Sequence, residues 1–311
     1  MRLFKNKLSL SCLLIATWTC SSMAGDQSFT QAQQHYHQGH FTQAVEGYRQ
    51  AAEQGHPLAQ TMLGEMYEKG QGVDQDFTQA VTWYQKAANQ GNATAQNKLG
   101  RMYRDGKGIK QSTPEAEKWF QKAADQGLPE AQYNLGMIYH YQQNRPQSLE
   151  NAEKWLRKAA EQGVVNAQLN LLLMYQDGQG SKDFVQVAQW LRQTATQGNP
   201  HAQSSLALMY YQGQGVPKDF TQAAWWYRQA ADQGEVAAQY NLGMMYEKGQ
   251  GVPQDQLASY QWYALAVTQG YEEAIPIRDT LKNQLSSEQL AQAEQFIKTW
   301  VEKHNTPKNK L

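Results

Sequence analysis

The chain has 311 residues, 28 basic against 28 acidic side chains and two cysteines. A near-neutral chain without long basic runs excludes electrostatic capture of nucleic acid or anionic lipid as its main activity. Its length suits one large or two ordinary domains.

The first predicted element is a leader. The basic stretch MRLFKNK precedes the apolar run LSLSCLLIATWTC, and Ser22 and Ala24 are small residues where a signal peptidase reads. This pattern predicts a secretory signal peptide over 1–24, cut after Ala24. The run is too short for a comfortable membrane span, and nothing later resembles one. A lipoprotein is rejected, because Cys20 follows Trp18-Thr19 rather than small residues and Cys12 lies too early. Cleavage would remove both cysteines, leaving no disulfide, thiolate nucleophile or cysteine–metal site. It would also remove Arg2, Lys5 and Lys7 but no acid, leaving 25 basic against 28 acidic residues, a net of −3. The expected location is the periplasm, with secretion to the exterior as the alternative, and no membrane insertion after cleavage.

Residues 25–56 follow as an N-terminal half-repeat and cap, whose recognisable part is Gln31–His56 with HFTQAVEGYRQAAEQG. His35, His37 and His40 lie close together there. No carboxylate or cysteine joins them at ligand spacing, so they read as solvated, and no metal or cofactor is expected.

From Pro57 a 36-residue unit recurs, giving repeats 57–92, 93–128, 129–164, 165–199, 200–235 and 236–271. The fourth is one residue short. The octapeptide MYEKGQGV accordingly stands twice, at Met66–Val73 and Met245–Val252, five periods less one residue apart. It resembles a phosphate-cradling loop, but its recurrence at one repeat position marks it as punctuation. Met-Tyr closes a helix, Gly70 and Gly249 permit the exit turn, Gly72 and Gly251 allow the reversal, and Val73 and Val252 tuck the loop in.

Each unit predicts two helices. The first carries A-Q-x-x-L-G-x-M-Y, with Ala, Leu and Tyr at positions three, seven and eleven forming a stripe. The glycine costs ~1 kcal/mol of helix propensity, so its presence in four units predicts close helix–helix approach; Leu172 and Ala207 replace it in the others. The second carries A-x-x-W-Y-x-x-A-A, an i, i+3, i+4, i+7, i+8 face. Trp83, Trp119, Trp155, Trp190, Trp226 and Trp262 read as structural knobs beside small alanines rather than a sugar-stacking ladder. Asp76, Ser112, Ser148, Asp183, Asp219 and Asp255 are N-cap types, and DFTQ and STPE supply capping boxes. Gly91, Gly127, Gly163, Gly198, Gly234 and Gly270 suit left-handed C′ positions. The third unit departs from pattern: YHYQQNRPQS (Tyr139–Ser148) replaces the GxGV loop, so either its first helix runs further or its loop takes another path.

Residues 272–303 predict a closing helix pair. Ser286 caps the second helix with Gln289 at N3, and Leu290, Ala293, Ile297, Trp300 and Val301 share a face. Such an end shields the last repeat's apolar surface. Residues 304–311 are expected to form a flexible tail.

The recurring residues resemble the Sel1-like repeat (SLR) family, relatives of tetratricopeptide repeats with a longer inter-helix loop, over 57–271, with a shorter TPR-like unit before them. The resemblance implies an all-α, right-handed α-α superhelical solenoid with a C-terminal capping helix pair. It also implies that first helices line a concave face, where positions two, five, six, nine and twelve contact peptide. These positions are charged early: Glu65, Glu68, Arg101 and Arg104. From the third repeat they become apolar and aromatic: Tyr133, Met137, His140, Leu169, Leu173, Leu208, Tyr211, Tyr240 and Met244. Asn134, Asn170 and Asn241 at position six would bond a peptide backbone. The alternative is that positions five and nine pack between neighbouring first helices as core.

No catalytic constellation is found. The GxG loops lack a third glycine and a preceding strand, no P-loop or H-E-x-x-H occurs, and S-x-x-K, S-D-N and K-T-G are absent. Cysteine-rich SLR relatives have been described as penicillin-binding or β-lactamase-like, but their cysteine pairs are missing here. The expectation is therefore a non-enzymatic, monomeric scaffold that binds a protein or peptide in the groove. A secreted factor binding host proteins is the alternative, and a peptidoglycan- or β-lactam-related enzyme a distant third.

Overall fold

The computed structural model describes residues 25–142 and 147–305. Residues 1–24, where a leader is expected, residues 306–311 of the expected tail and the middle of the third-repeat loop lie outside these residues. Among the described residues there are helices and no strands. The chain divides into two compact units, Met1–Ala159 and Ala160–Leu311.

In the first unit, α1 (25–37) pairs with α2 (Phe41–Glu53), α3 (Pro57–Lys69) with α4 (Phe77–Asn89), and α5 (Ala93–Asp105) with α6 (Thr113–Asp125). Next come α7 (Pro129–Tyr141) and α8 (Ser148–Glu161), whose last two residues belong to the second unit. The second unit holds α9 (Val165–Gln176), α10 (Phe184–Thr196), α11 (Pro200–Gln212), α12 (Phe220–Ala231), α13 (Val236–Lys248) and α14 (Gln256–Thr268). It closes with a short 3-10 turn over Glu272–Ala274, α15 (Ile275–Lys282) and α16 (Ser287–Asn305). Helix α16 thus includes His304, at the start of the expected flexible tail.

The helix ends follow their local chemistry. The Asp76 carboxylate accepts from the backbone N–H groups of Thr78 and Gln79 at 2.9 and 3.0 Å, satisfying donors that a helix start leaves unpaired. Ser112, Asp183, Asp219 and Asp255 cap in the same way. Ser148 differs from the expectation. It lies inside α8, because the Gln147 carbonyl already accepts from Asn151 N–H at 3.1 Å. At Ser286 the full capping box forms: its N–H donates to Gln289 Oε1 at 2.9 Å and its Oγ accepts from Gln289 N–H at 3.2 Å. Helix α7 ends at Tyr141, the same repeat position as Lys69 in α3, so the atypical third repeat does not lengthen its first helix.

The second-helix tryptophans are all buried, and in the first unit each reaches the preceding core. Trp83 of α4 joins Ala32, Ala44, Tyr48, Leu63 and Met66, while Trp119 and Trp155 enter the next two clusters. A single large apolar side chain per repeat therefore couples neighbours, which is how a solenoid shares one core. In four of the six repeats the two helices meet at glycine. A Cβ on Gly64 would stand 2.7 Å from Tyr84 Cδ1, and one on Gly100 2.7 Å from Phe120 Cδ1. The loop glycine approaches the preceding repeat instead: a Cβ on Gly72 would lie 2.4 Å from the Phe41 carbonyl carbon. MYEKGQGV is thus an inter-repeat contact as well as a turn.

Two features correct the expected first-helix stripe. Position ten, not eleven, is buried throughout (Met66, Met102, Ile138, Met174, Met209, Met245), and the tyrosines beside it, Tyr175 excepted, are half-exposed. Several receive an arginine: Arg49 donates to Tyr67 Oη at 2.8 Å, Arg192 to Tyr210 Oη at 2.6 Å, and Arg228 to Tyr246 Oη. Position four carries a buried glutamine ladder. Gln96 Nε2 donates to the Ala88 carbonyl at 3.1 Å while its Oε1 accepts from Gln126 Nε2 at 2.7 Å. Gln60, Gln203 and Gln239 repeat both bonds. At Gln168 a threonine, Thr194, replaces the second glutamine at 3.0 Å. Buried amides so arranged satisfy a helix-end carbonyl that would otherwise be unpaired.

Candidate partner-binding face

The first helices present positions five, six, nine and twelve of each repeat, and the two units dress them differently. In the first unit the face is charged. Lys98 of α5 reaches back to Glu65 and Glu68 of α3 at 3.2 and 3.8 Å, and Lys69 stands 3.5 Å from Glu65. Tyr84 donates its phenol to Glu68 at 2.6 Å; burial, then this bond to a carboxylate, pushes its pKa well above the ordinary phenol range. Arg104 grips its neighbour Asp105 at 2.7 Å, and this bond holds the Asp105 carboxyl below the usual carboxylate range.

Asn134, expected to meet a peptide backbone, is engaged within this lattice. Its Nδ2 donates to Asn97 Oδ1 at 3.0 Å and its Oδ1 accepts from Arg104 at 3.2 Å. The amide ties α7 to α5. Tyr133, Met137 and His140 are half-buried on the same helix, the His140 ring 5.6 Å from that of Tyr141. Position five is buried at Thr61, Asn97 and Ser204. There the packing alternative describes the structure.

In the second unit the face is more apolar. Leu173 on α9 is 57% exposed, in a helix whose Leu171, Leu172 and Met174 are buried. Leu169, Leu208 and Tyr211 are half-buried. Tyr211 donates to Gln250 Oε1 at 3.0 Å and its ring lies 5.2 Å from Phe220, while Gln176 donates to Gln214 Oε1 at 3.0 Å. Asn170 and Asn241 each turn an amide hydrogen back to their own helix, to the Asn166 carbonyl at 2.7 Å and the Ala237 carbonyl at 2.9 Å. Such back-bonds compete with any external acceptor.

Tyr240 and Met244 require a correction. Both are half-buried and pack against the C-terminal core around Tyr263, Leu281 and Ala293. The Tyr240 ring lies 5.3 Å from Tyr263 and 4.9 Å from Tyr271. The closing helices bring Tyr271 and their own apolar face to this end, so these two residues serve the core before any partner.

The sequence reading also missed an aromatic group elsewhere. Trp225, on α12, is 52% exposed beside buried Trp226. The position before the invariant tryptophan is Thr82, Lys118, Lys154, Gln189 and Gln261 in the other repeats, so a repeat-by-repeat comparison of that position carries the signal. Among the described residues, no group of three or more His, Cys, Asp or Glu is placed to hold a metal ion. No helix among them is long and apolar enough to cross a membrane.

The Sel1 repeat family model matches residues 41–56, 57–92, 93–128, 129–164, 165–199, 200–235 and 236–271. Two of the similar solved structures show this. One is a protective antigen of uropathogenic Escherichia coli displaying an SLR fold, 34% identical with a TM-score of 0.77 over 85% of this chain. This chain spans only 57% of that protein's length. The other is a Sel1 repeat protein from Oxalobacter formigenes, 32% identical with a TM-score of 0.67, covering 78% of this chain and 99% of that one. No curated protein matches the sequence. Proteins built of these repeats generally serve as scaffolds for protein–protein interaction. With seven matched repeats and helix pairs of the same SLR architecture, the chain belongs to the Sel1 repeat family.

Proposed function

We propose that this protein is an exported, non-catalytic scaffold that holds a protein or peptide segment against its first-helix face, in the second unit. The observation carrying this reading is Leu173, a leucine 57% exposed at a repeat position that relatives of this fold use for contact. Leu169, Leu208 and Tyr211 extend the apolar character at equivalent positions of α9 and α11. An exposed leucine with half-buried apolar side chains on the same face suits an anchored peptide. Export rests on the leader pattern of residues 1–24, and the periplasm is the compartment proposed. The similar E. coli protein is described as a protective antigen, which favours a second reading in which the chain faces the exterior.

The test is affinity capture of the tagged mature chain from an envelope extract, with Leu173→Gln/Leu208→Gln as the comparison. The double variant is expected to lose the captured partner while keeping helical content and melting temperature. Capture unchanged by both substitutions overturns the proposed face. Fractionation then separates the two locations: the processed chain in the periplasmic fraction supports the first, and in the culture medium the second.

A further inference from the structure

A second feature of the second unit is built mainly from its second helices. Between the C-terminal end of α10 and the C-terminal half of α12 a cavity of about 510 Å3 opens, lined by Gln203, Trp225, Trp226, Gln229, Asp232 and Gln233 among others. The same depression occurs one repeat earlier, about 370 Å3 in volume and lined by Gln168, Gln193 and Gln197, so the repeat geometry itself creates it. Only the later one carries an aromatic wall. There Trp225 is 52% exposed, against 7% for Trp226. The two indoles lie 4.4 Å apart at 83°, and this edge contact steadies the exposed ring.

Charge narrows the ligand class. Asp232 is the one ionisable residue in the lining, so no cation of the lining itself faces an anionic ligand. Burial raises the Asp232 carboxyl pKa, while Arg228, Lys303 and His304 act on it in the opposite sense. With Arg228 and Lys303 near this single carboxylate, the surroundings carry no excess of negative charge, which disfavours a cationic ligand caged by the tryptophans. What remains is an indole surface ringed by amides, the Thr196 hydroxyl and one carboxylate acceptor. Gln233 already directs its Nε2 to Gln203 Oε1 at 2.8 Å, which orients the rim. A ligand matching this surface has an apolar C–H face and a neutral, hydroxyl-rich edge.

We propose that this cavity binds a neutral saccharide, one pyranose ring stacked on Trp225 with its hydroxyl or acetamido groups bonded by Gln229, Gln233 and Asp232. A proline-rich peptide also stacks on exposed tryptophan, but its single row of carbonyl acceptors would leave the Asp232 carboxylate without a donor.

The experiment titrates the mature protein with chitotetraose and with cellotetraose, followed by calorimetry and tryptophan fluorescence, and in parallel with a proline-rich peptide. Saturable binding of at least one saccharide is expected. Trp225→Ala should weaken it about tenfold, the loss of one stacking contact, with the melting temperature unchanged because the ring is exposed. Trp225→Tyr should retain part of the affinity. Leu173→Gln should leave it intact, which keeps this site separable from the first-helix face. The inference is overturned if neither saccharide saturates, if Trp225→Ala binds as well as the parent, or if only the peptide binds.

Discussion

Gly100→Ala sets two physical terms against each other, and the structure decides the winner. Replacing a helix-interior glycine by alanine stabilises the helix by about 1 kcal/mol. The new methyl would stand 2.7 Å from Phe120 Cδ1 and Cε1 and 3.1 Å from Cζ. Overpacking of this kind costs about 1–3 kcal/mol. Phe120 is fully buried within the cluster of Ala116, Ala123, Leu135 and Trp155, so the ring has nowhere to turn and the upper part of that range applies. The net expectation is a loss of about 1–2 kcal/mol. Urea unfolding followed by far-ultraviolet circular dichroism measures it, read as a midpoint shift because long repeat arrays depart from two-state behaviour. A companion variant sharpens the test. Leucine would not relieve the overlap, since a Cβ on Gly136 would stand 2.8 Å from Leu156 Cγ; Gly100→Ala/Phe120→Ala, which removes the obstructing side chain, should be more stable than the summed single effects by about 1 kcal/mol. If Gly100→Ala is as stable as the parent, helix approach is not what requires glycine, and the reasoning fails.

Three further outcomes are expected. Gln96→Ala should cost about 1–3 kcal/mol, because it strips partners from both the Ala88 carbonyl and the Gln126 amide; amide hydrogen exchange should quicken at the α4–α5 junction first. Lys182 adopts φ 57° in the shortened fourth loop, so Lys182→Gly should stabilise by up to about 1 kcal/mol, read in the same urea titration. Burial raises the phenol pKa of Tyr48 to about 12 and those of Tyr84, Tyr227 and Tyr263 further, the last by a bond to Glu247 as well. Stability owed to these neutral phenols is complete below about pH 10, the unfolded value, and is lost as pH rises toward the folded values. Ultraviolet titration of the 17 tyrosines should therefore show these four ionising later than the rest, together with a fall in helical signal; their ionisation near about pH 10 with the helical signal intact refutes the assignment.

Much of the architecture was legible because it is periodic. Each helix pair, the caps at Asp76, Ser112, Asp183, Asp219 and Asp255, and the box at Ser286 follow from local spacing and hydrogen-bonding chemistry. The local signal failed at Ser148, where an N-cap residue type sits one position inside a helix that Gln147 starts. It also misplaced the stripe: Met and Tyr at positions ten and eleven both fit a helical face, and only packing buries the first while leaving the second for arginine. The candidate face was less legible still. Periodicity selects positions five, six, nine and twelve but not the company they keep. Asn134 turned out to tie α7 to α5, and Tyr240 and Met244 to meet the closing helices.

The sequence by itself determined the repeat, its length, its helix pairs and its family, since these depend on contacts between residues close along the chain or one period apart. Tertiary structure alone decided which repeated residues are connectors and which face solvent. The glutamine ladder, the tryptophan that enters its neighbour's core and the glycine against Phe41 each join different repeats, where no local propensity reports the partner. Leu173 and Trp225 are exposed beside buried helix neighbours, and the repeat pattern alone does not report which of these positions packing covers.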